Sequence, residues 1–247
     1  MSGHSKWSTI KHKKGALDKK RGKIFTKLIK EITVAAKEGG PDAEMNPRLR
    51  LAVQNAKGKN MPKDTIDRAI KKVAGGEAAD YQELTYEGYA PHGVAVFVEC
   101  TTDNLNRTVA AVRSIFTKNG GNLGTNGSLE FIFDRKGVFS LPVPEGQDED
   151  DLTLELIDGG AEDVEFDTGV MIITCGMEDF GTMQKKLEEL GLEAENAELE
   201  RIPNSYANLS DDDFTQVMKT IDALEDDDDV QKVFHNIEAT DSQLESL

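Results

Sequence analysis

Residues 137–200 read GVFSLPVPEGQDEDDLTLELIDGGAEDVEFDTGVMIITCGMEDFGTMQKKLEELGLEAENAELE. Short runs of β-branched and aromatic residues alternate here with segments of helical period. They predict a strand, a helix, two strands, a helix and a strand, at Val138–Leu141, Glu149–Ile157, Val164–Phe166, Val170–Cys175, Glu178–Leu190 and Leu192–Glu200. Because β-α-β-β-α-β is the order of the ferredoxin-like fold, we predict an inserted ferredoxin-like α/β domain at residues 136–202.

The segments that flank this unit predict a second α/β domain in two pieces. Upstream, the patterns indicate two strands, a helix that Asp103 or Asn104 caps, and a further strand: Leu84–Tyr89, Val94–Cys100, a helix to about Lys118, and Ser128–Phe133. Downstream, a helix at Asp211–Leu224 and a strand at Val230–Ile237 lack a sheet of their own. We therefore expect the downstream pieces to dock on the upstream strands, giving a discontinuous domain of residues 77–135 and 203–247.

Three amphipathic helices are predicted before residue 76. Apolar residues recur at three- and four-residue spacing from Phe25 to Ala36, and Gly39 begins the stop signal of that helix. Asn46 followed by Pro47 starts the second helix, and Pro62 opens the third. The predicted fold class is α+β: a helical N-terminal domain at residues 1–76, with residues Lys6 to Arg21 as an extended arm, plus two α/β sandwich domains.

Charge is distributed unevenly along the chain. Residues 1–72 contain 19 Lys and Arg against 7 Asp and Glu, whereas residues 73–247 contain 10 against 39. A basic segment of one sign is typical of a surface that meets phosphate, while the acidic remainder would repel a nucleic acid. The charges leave a second arrangement open, in which the basic arm and the acidic body attract each other within one molecule.

The predicted nucleic-acid contacts are the cations of the arm and one aromatic residue. The cations would neutralise phosphates and release counterions, and Trp7 would either stack on a base or pack inside the protein. The candidate site residues are Lys6, Trp7, Lys11, Lys13, Lys14, Lys19, Lys20, Arg21 and Lys23. No helix-turn-helix spacing, zinc knuckle or aromatic RNA-binding pair is recognisable, so the pattern does not distinguish DNA from RNA.

Other motifs favour structural interpretations. The four histidines have no metal-ligand spacing, and no nucleophile elbow or phosphate loop is present, so we expect no enzyme activity, no cofactor, no metal and no small-molecule substrate. The acidic run Glu225–Asp229 lacks the pattern of a calcium loop and is interpreted as a solubilising turn. The glycine-rich stretch Gly120–Ser128 is interpreted as a turn, with an anion site as the alternative. Cys100 and Cys175 lie in apolar runs and are predicted to be reduced core residues.

The sequence resembles the YebC/PmpR family through seven motifs in order. The matching stretches are Gly3–Trp7, Lys20–Phe25, Asn46–Arg50, Asn60–Thr65, Tyr86–Tyr89, Asp103–Asn104 with Asn106–Thr108, and Gly120–Gly124. The region from Gly137 to Arg201 matches by layout more than by motif. The resemblance implies three domains, one helical and two α/β, in agreement with the patterns above.

The resemblance also implies a non-enzymatic regulator of gene expression in the cytoplasm. Members of the family are described as transcriptional regulators that bind promoter DNA, and also as ribosome-associated factors that relieve stalling at proline-rich stretches; a mitochondrial relative activates translation of cytochrome c oxidase. The expected partner is therefore promoter DNA, or alternatively ribosomal RNA and the ribosome. No apolar run is long enough to span a bilayer and no signal peptide is recognisable, so no membrane association is expected.

Overall fold

The N-terminal part of the fold is a group of three helices: α1 (Asp18–Gly39), α2 (Pro47–Gly58) and α3 (Lys63–Ala74). The computed structural model describes residues 18–144, 146–167 and 169–245 of the chain, with side chains from Arg21 to Leu244. Asn46 caps α2 as predicted, because its side chain accepts a hydrogen bond from the Leu49 amide at 3.1 Å. Ile32, Leu49 and Ile66 meet in the core of this group, which we call the helical unit. The prediction of an extended arm is wrong for residues 18–21, because α1 already begins at Asp18.

The remaining strands and helices follow in chain order. They are β1 (Gln82–Tyr89), a 3₁₀ turn (Pro91–Gly93), β2 (Ala95–Thr102), α4 (Leu105–Lys118), β3 (Asn122–Leu123), β4 (Phe133–Pro142), α5 (Glu149–Asp158), β5 (Ala161–Asp167), β6 (Val170–Gly176), α6 (Phe180–Glu189), β7 (Asn196–Pro203), β8 (Ala207–Asn208), α7 (Asp211–Glu225), β9 (Val230–His235), β10 (Ile237–Glu238) and α8 (Asp241–Glu245). No helix in the described ranges is both long and apolar enough to cross a membrane.

The first sheet joins segments that are far apart in the sequence. Its strand order is β3-β1-β2-β9, and β9 pairs antiparallel with β2 so that Phe97 lies opposite Phe234. Helices α4 and α7 cover one face, where Val96, Phe116 and Ile221 share a core. The expected docking of the downstream pieces on the upstream strands is thus observed. We call this group the middle unit.

The second sheet has the strand order β5-β6-β4-β7, with every neighbouring pair antiparallel. This order, with α5 and α6 packed on one face, is the ferredoxin-like arrangement predicted from the sequence. Phe139, Leu156 and Met183 form the centre of its core. The fold is therefore α+β, with a helical N-terminal region and two α/β units, while the exact domain boundaries at residues 76, 136 and 202 stay a prediction.

One predicted strand is wrong, and two cysteine predictions are confirmed. Residues 128–132 form turns, and β4 begins only at Phe133. Cys100 and Cys175 are free and buried, and burial raises the pKa of their thiols to about 12 and about 11.

Candidate nucleic-acid interface

The predicted contact residues are only partly within the described structure. Lys6, Trp7, Lys11, Lys13 and Lys14 lie outside the described residues. Lys19 and Lys20 are in the first turn of α1, and their side chains are outside the described set. Arg21 is exposed, with its guanidinium carbon 5.4 Å from the centre of the Phe25 ring. Arg21 is therefore directed along the surface of α1, where its charge remains accessible to a partner.

Lys23 begins a row of lysines that contacts the middle unit. The Lys23 ammonium donates to both the carbonyl and the carboxylate of Asp226 at 2.9 Å, and Lys27 donates to the carbonyl of Glu225 at 2.8 Å. Lys30 completes the row, because residues spaced by four and three share one face of a helix. In this arrangement the charge of Lys23 is already compensated by the acidic run after α7.

Asp229 is the centre of that docking contact. One carboxylate oxygen accepts from the Lys30 ammonium at 3.0 Å, and the other accepts from Arg107 Nε at 2.9 Å and from the Thr108 hydroxyl at 2.9 Å. Arg107 Nη2 adds bonds of 2.8 and 2.9 Å to the two oxygens. Asp229 is only 5% exposed, so the interpretation of residues 225–229 as a solubilising turn is wrong at this position.

The protonation of Asp229 reflects a balance between burial and hydrogen bonding. Burial alone would raise the pKa of this carboxyl group, because it disfavours the charged form. The hydrogen bonds from Arg107, Lys30 and Thr108 outweigh burial and hold the pKa of Asp229 below its ordinary value. The carboxylate is therefore the favoured form at neutral pH, and it ties α1 to the middle unit.

Lys30 is enclosed by acceptors from the middle unit. Its ammonium also donates to the carbonyls of Thr101 at 3.1 Å and Asp228 at 2.6 Å, and lies 5.5 Å from the centre of the Tyr81 ring. At 7% exposure, this lysine is not accessible to a nucleic acid. A buried, fully bonded lysine fixes the orientation of α1 against the second unit.

An open pocket of about 510 Å³ lies beside this contact. Its lining combines Lys30 and Arg107 with four carboxylates, those of Asp103, Asp227, Asp228 and Asp229. In the ranges that the structure describes, no group of three or more His, Cys, Asp or Glu side chains is arranged to hold a metal ion. The excess of acidic groups makes this pocket unsuitable for phosphate.

The helical unit also docks on the ferredoxin-like unit, through α2. The buried Asn55 side chain donates to the Ala197 carbonyl at 2.9 Å and accepts from the Ala197 amide at 3.0 Å. It therefore satisfies both backbone hydrogen-bonding groups of one residue in the edge strand β7. Gly58 approaches the Glu195 carbonyl so closely that an added Cβ atom would lie 1.9 Å from it. Only glycine allows this contact between α2 and the segment before β7.

Charged side chains join the middle and ferredoxin-like units. Arg201 donates to Glu99 at 3.1 Å and its guanidinium lies 3.7 Å from the centre of the Phe97 ring. Lys232 forms an ion pair with Glu198. Although burial opposes the charged form, Glu198 and the nearby Glu31 of α1 raise the pKa of Lys232. The three units are thus held against one another by specific polar contacts.

The structure shows a set of exposed cations that the sequence prediction did not include. Four of them lie on α3 and one at the end of α2, and none has a hydrogen bond or an ion pair within the described residues: Lys63, Arg68, Lys71, Lys72 and Lys57. The sequence analysis counts these residues in the basic part of the chain but assigns them no role. The signal that would have identified them is their periodicity, because the apolar positions of α3 occupy only one side of the helix.

The glycine-rich stretch contains the short strand β3 and a turn, and Glu87 accepts hydrogen bonds from several amides in and beside it. The Glu87 carboxylate, 3% exposed, accepts from the amides of Gly127 at 2.7 Å and Leu129 at 2.6 Å. Gly124 donates its amide to the Glu87 carbonyl at 2.7 Å. The interpretation of this stretch as a turn is therefore confirmed, and the carboxylate of Glu87 takes the position that an external anion would need.

Two family models match the chain in succession. A model described as the TACO1/YebC protein N-terminal domain matches residues 5–76, and one described as the TACO1/YebC second and third domain matches residues 81–237. The crystal structure of a conserved hypothetical protein from Aquifex aeolicus is 46% identical, with a TM-score of 0.81 over 91% of this chain and 93% of that one.

Full-length relatives are similar over nearly the whole chain. A probable transcriptional regulatory protein of Amoebophilus asiaticus is 57% identical over 239 residues, which cover 96% of this chain and 98% of that protein. A protein of Photobacterium profundum that is also named a probable transcriptional regulatory protein is 51% identical over 249 aligned positions, which cover 100% of both chains.

Proposed function

Because the chain belongs to the TACO1/YebC family, we propose that it is a nucleic-acid-binding regulator of transcription whose partner is DNA. Relatives that match it over their full length are named probable transcriptional regulatory proteins. The proposal assigns no catalysis and no cofactor to the chain. Its mechanism is electrostatic attachment through the helical unit and the residues before it, with the acidic units held away from the DNA backbone.

The observation that carries this proposal is the separation of the cations of the helical unit into two groups. Lys23, Lys27 and Lys30 are used internally, against residues 225–229. Arg21 and the exposed face of α3 retain accessible charge, and residues 6–20 add six further lysines whose side chains lie outside the described set. Since each lysine that meets a phosphate releases a counterion, this second group supplies the driving force for binding.

Reversing the charge of four lysines tests the role of the segment before α1. We expect the Lys13→Glu/Lys14→Glu/Lys19→Glu/Lys20→Glu variant to bind a mixed-sequence DNA duplex at least about 100-fold more weakly at low salt, with a shallower dependence of log affinity on log salt, because each phosphate contact contributes a slope of about 0.9. Fluorescence anisotropy over a salt series measures both quantities. Glutamate in the first turn suits the helix dipole, so α1 should remain folded.

A matched control places the same charge change on the acidic units. Arg113, Arg135, Lys185 and Lys219 are exposed cations outside the helical unit. Their replacement by glutamate should change the affinity far less, although the net charge falls equally. Equal losses in the two variants would contradict a localised contact. Co-sedimentation of the protein with ribosomes that survives DNase but not RNase would contradict DNA as the partner.

A further inference from the structure

Helix α3 has a polar face that the described residues leave exposed. The lysine row of α1 is docked on the middle unit, and α2 is docked on β7 through Asn55. Helix α3 buries Ile66 and Ala69 against α1 and α2. Its opposite side is exposed and carries the cations Lys63, Arg68, Lys71 and Lys72. The position of α3 is thus fixed by the core, while its polar half is open to a partner.

The connection between α2 and α3 is short and closed by backbone hydrogen bonding. Only four residues, 59–62, separate the two helices. Asn60 adopts the left-handed conformation at φ 57°, and the amide of Met61 donates to the Ala56 carbonyl at 2.9 Å, which closes the end of α2. Met61 is buried and packs in the core of the helical unit.

The charges on α3 are arranged across its exposed half. Lys63 and Lys72 are nine residues apart, about two and a half helical turns, so they lie on opposite borders of the polar face. Arg68 and Lys71 lie between these borders, together with Asp64 and Asp67. The width of a helix with its side chains, about 10–12 Å, matches the major groove of B-form DNA, about 12 Å wide.

The two acidic residues favour a groove over a flat contact with the backbone. Carboxylates that face phosphate would oppose binding, whereas in the major groove they accept hydrogen bonds from the amino group of cytosine. An arginine in the same position pairs with guanine. The deep, narrow major groove of A-form RNA does not admit a helix, so the same face does not suit an RNA duplex.

We propose that α3 lies in the major groove of a B-form DNA duplex, with Lys63 and Lys72 on the phosphates of the two strands and Arg68 directed at base edges. This inference rests on the proposed function and specifies its contact. The segment before α1 supplies affinity that does not depend on sequence, and α3 supplies the contact that requires a B-form duplex. The acidic units, docked on α1 and α2, remain outside the groove.

Neutralising three lysines on α3 tests this contact. We expect the Lys63→Gln/Lys71→Gln/Lys72→Gln variant to bind a mixed-sequence DNA duplex, about two helical turns long, about 100-fold more weakly at low salt, and its salt slope to fall by about 2 to 3. Glutamine is a good helix former, so α3 should persist, which circular dichroism and the melting temperature verify. The matched control is Arg135→Gln/Lys185→Gln/Lys219→Gln, which removes equal charge from the acidic units and should leave binding nearly unchanged.

A measurement on the unaltered protein makes the test independent of the variants. Reductive methylation of lysines, followed by mass spectrometry, should show Lys63 and Lys72 protected by the DNA duplex and not by an RNA duplex of the same sequence. Full reactivity of both lysines in the DNA complex, or equal protection by RNA, would overturn the inference while the proposed function stands. Absence of any DNA binding by the unaltered protein would overturn both.

Discussion

The Asp229→Asn variant should lose about 3 to 5 kcal/mol of its free energy of unfolding at neutral pH, because it leaves a buried lysine without its counter-ion. Asparagine preserves the shape of the side chain but removes the charge that Lys30, 7% exposed, is paired with. Arg107 is less affected, since it keeps its ion pair with Asp103 at 2.8 Å. The loss of stability therefore arises at the contact between α1 and the middle unit. Urea unfolding measured by circular dichroism gives the change.

The neighbouring Asp228→Asn variant is the control. Asp228 is exposed, and it serves Lys30 through its backbone carbonyl, which the substitution leaves in place. Its free energy of unfolding should change by less than about 0.5 kcal/mol. Adding Lys30→Met to Asp229→Asn should recover part of the loss, since the unpaired charge is then gone. Equal stability of the two asparagine variants would show that the buried ion pair does not hold α1 in place.

The same carboxylate predicts a dependence of stability on pH. The pKa of Asp229 is lowered in the folded protein, so its contribution is fully present above the ordinary aspartate value of 3.8 and is lost as the pH falls through the lower, folded value. Between neutral pH and about pH 5, Asp229 should not affect how the free energy of unfolding changes with pH. Below that range the unaltered protein should lose stability more steeply than the Asp229→Asn variant, which has no carboxyl group to protonate.

Local signals predicted most of the secondary structure. Asn46 and Pro47 mark the start of α2, and the apolar period marks α1, because such signals depend on residues within one or two turns of the helix. The ferredoxin-like unit was predicted for a similar reason, since all its strands and helices lie in one continuous stretch. The alternation of patterns there is enough to specify the order of its elements.

The functional assignment of the lysines could not be predicted in the same way. Lys30 and Lys71 are equivalent as sequence features, since both lie on the polar side of an amphipathic helix. Only the packing of α1 against residues 225–229, about 200 positions away, shows that one is buried and the other accessible. The charge of the two halves left attraction between basic and acidic segments open as a second arrangement. The charge pattern did not indicate which cations would form ion pairs inside the protein.

The strand predicted at Ser128–Phe133 is wrong for a reason that also lies far away in the sequence. Its β-branched and aromatic residues suit a strand, but Leu129 and Ile132 are both buried three positions apart, which a strand with alternating sides does not allow. The backbone instead turns around the carboxylate of Glu87, about 40 residues upstream. A side chain that organises a remote turn leaves no signal in the local pattern.

Replacing Glu87 by glutamine should therefore cost about 2 to 4 kcal/mol of the free energy of unfolding. The glutamine amide offers one acceptor oxygen where the carboxylate offered two, so one of the buried amides of Gly127 and Leu129 loses its partner, and hydrogen bonds to a charged group contribute about 1.5 to 3 kcal/mol each. Thermal and urea unfolding give the total, and hydrogen exchange should show faster exchange at these two amides than in the unaltered protein.

Glu130→Gln is the matched control in the same turn, because Glu130 is exposed and has no hydrogen bond within the described residues. Its stability should remain within about 0.5 kcal/mol of the unaltered protein. If Glu87→Gln behaves like this control and both amides stay protected, apolar packing of Leu129 and Ile132 alone holds the turn. In that case the carboxylate is dispensable for the turn.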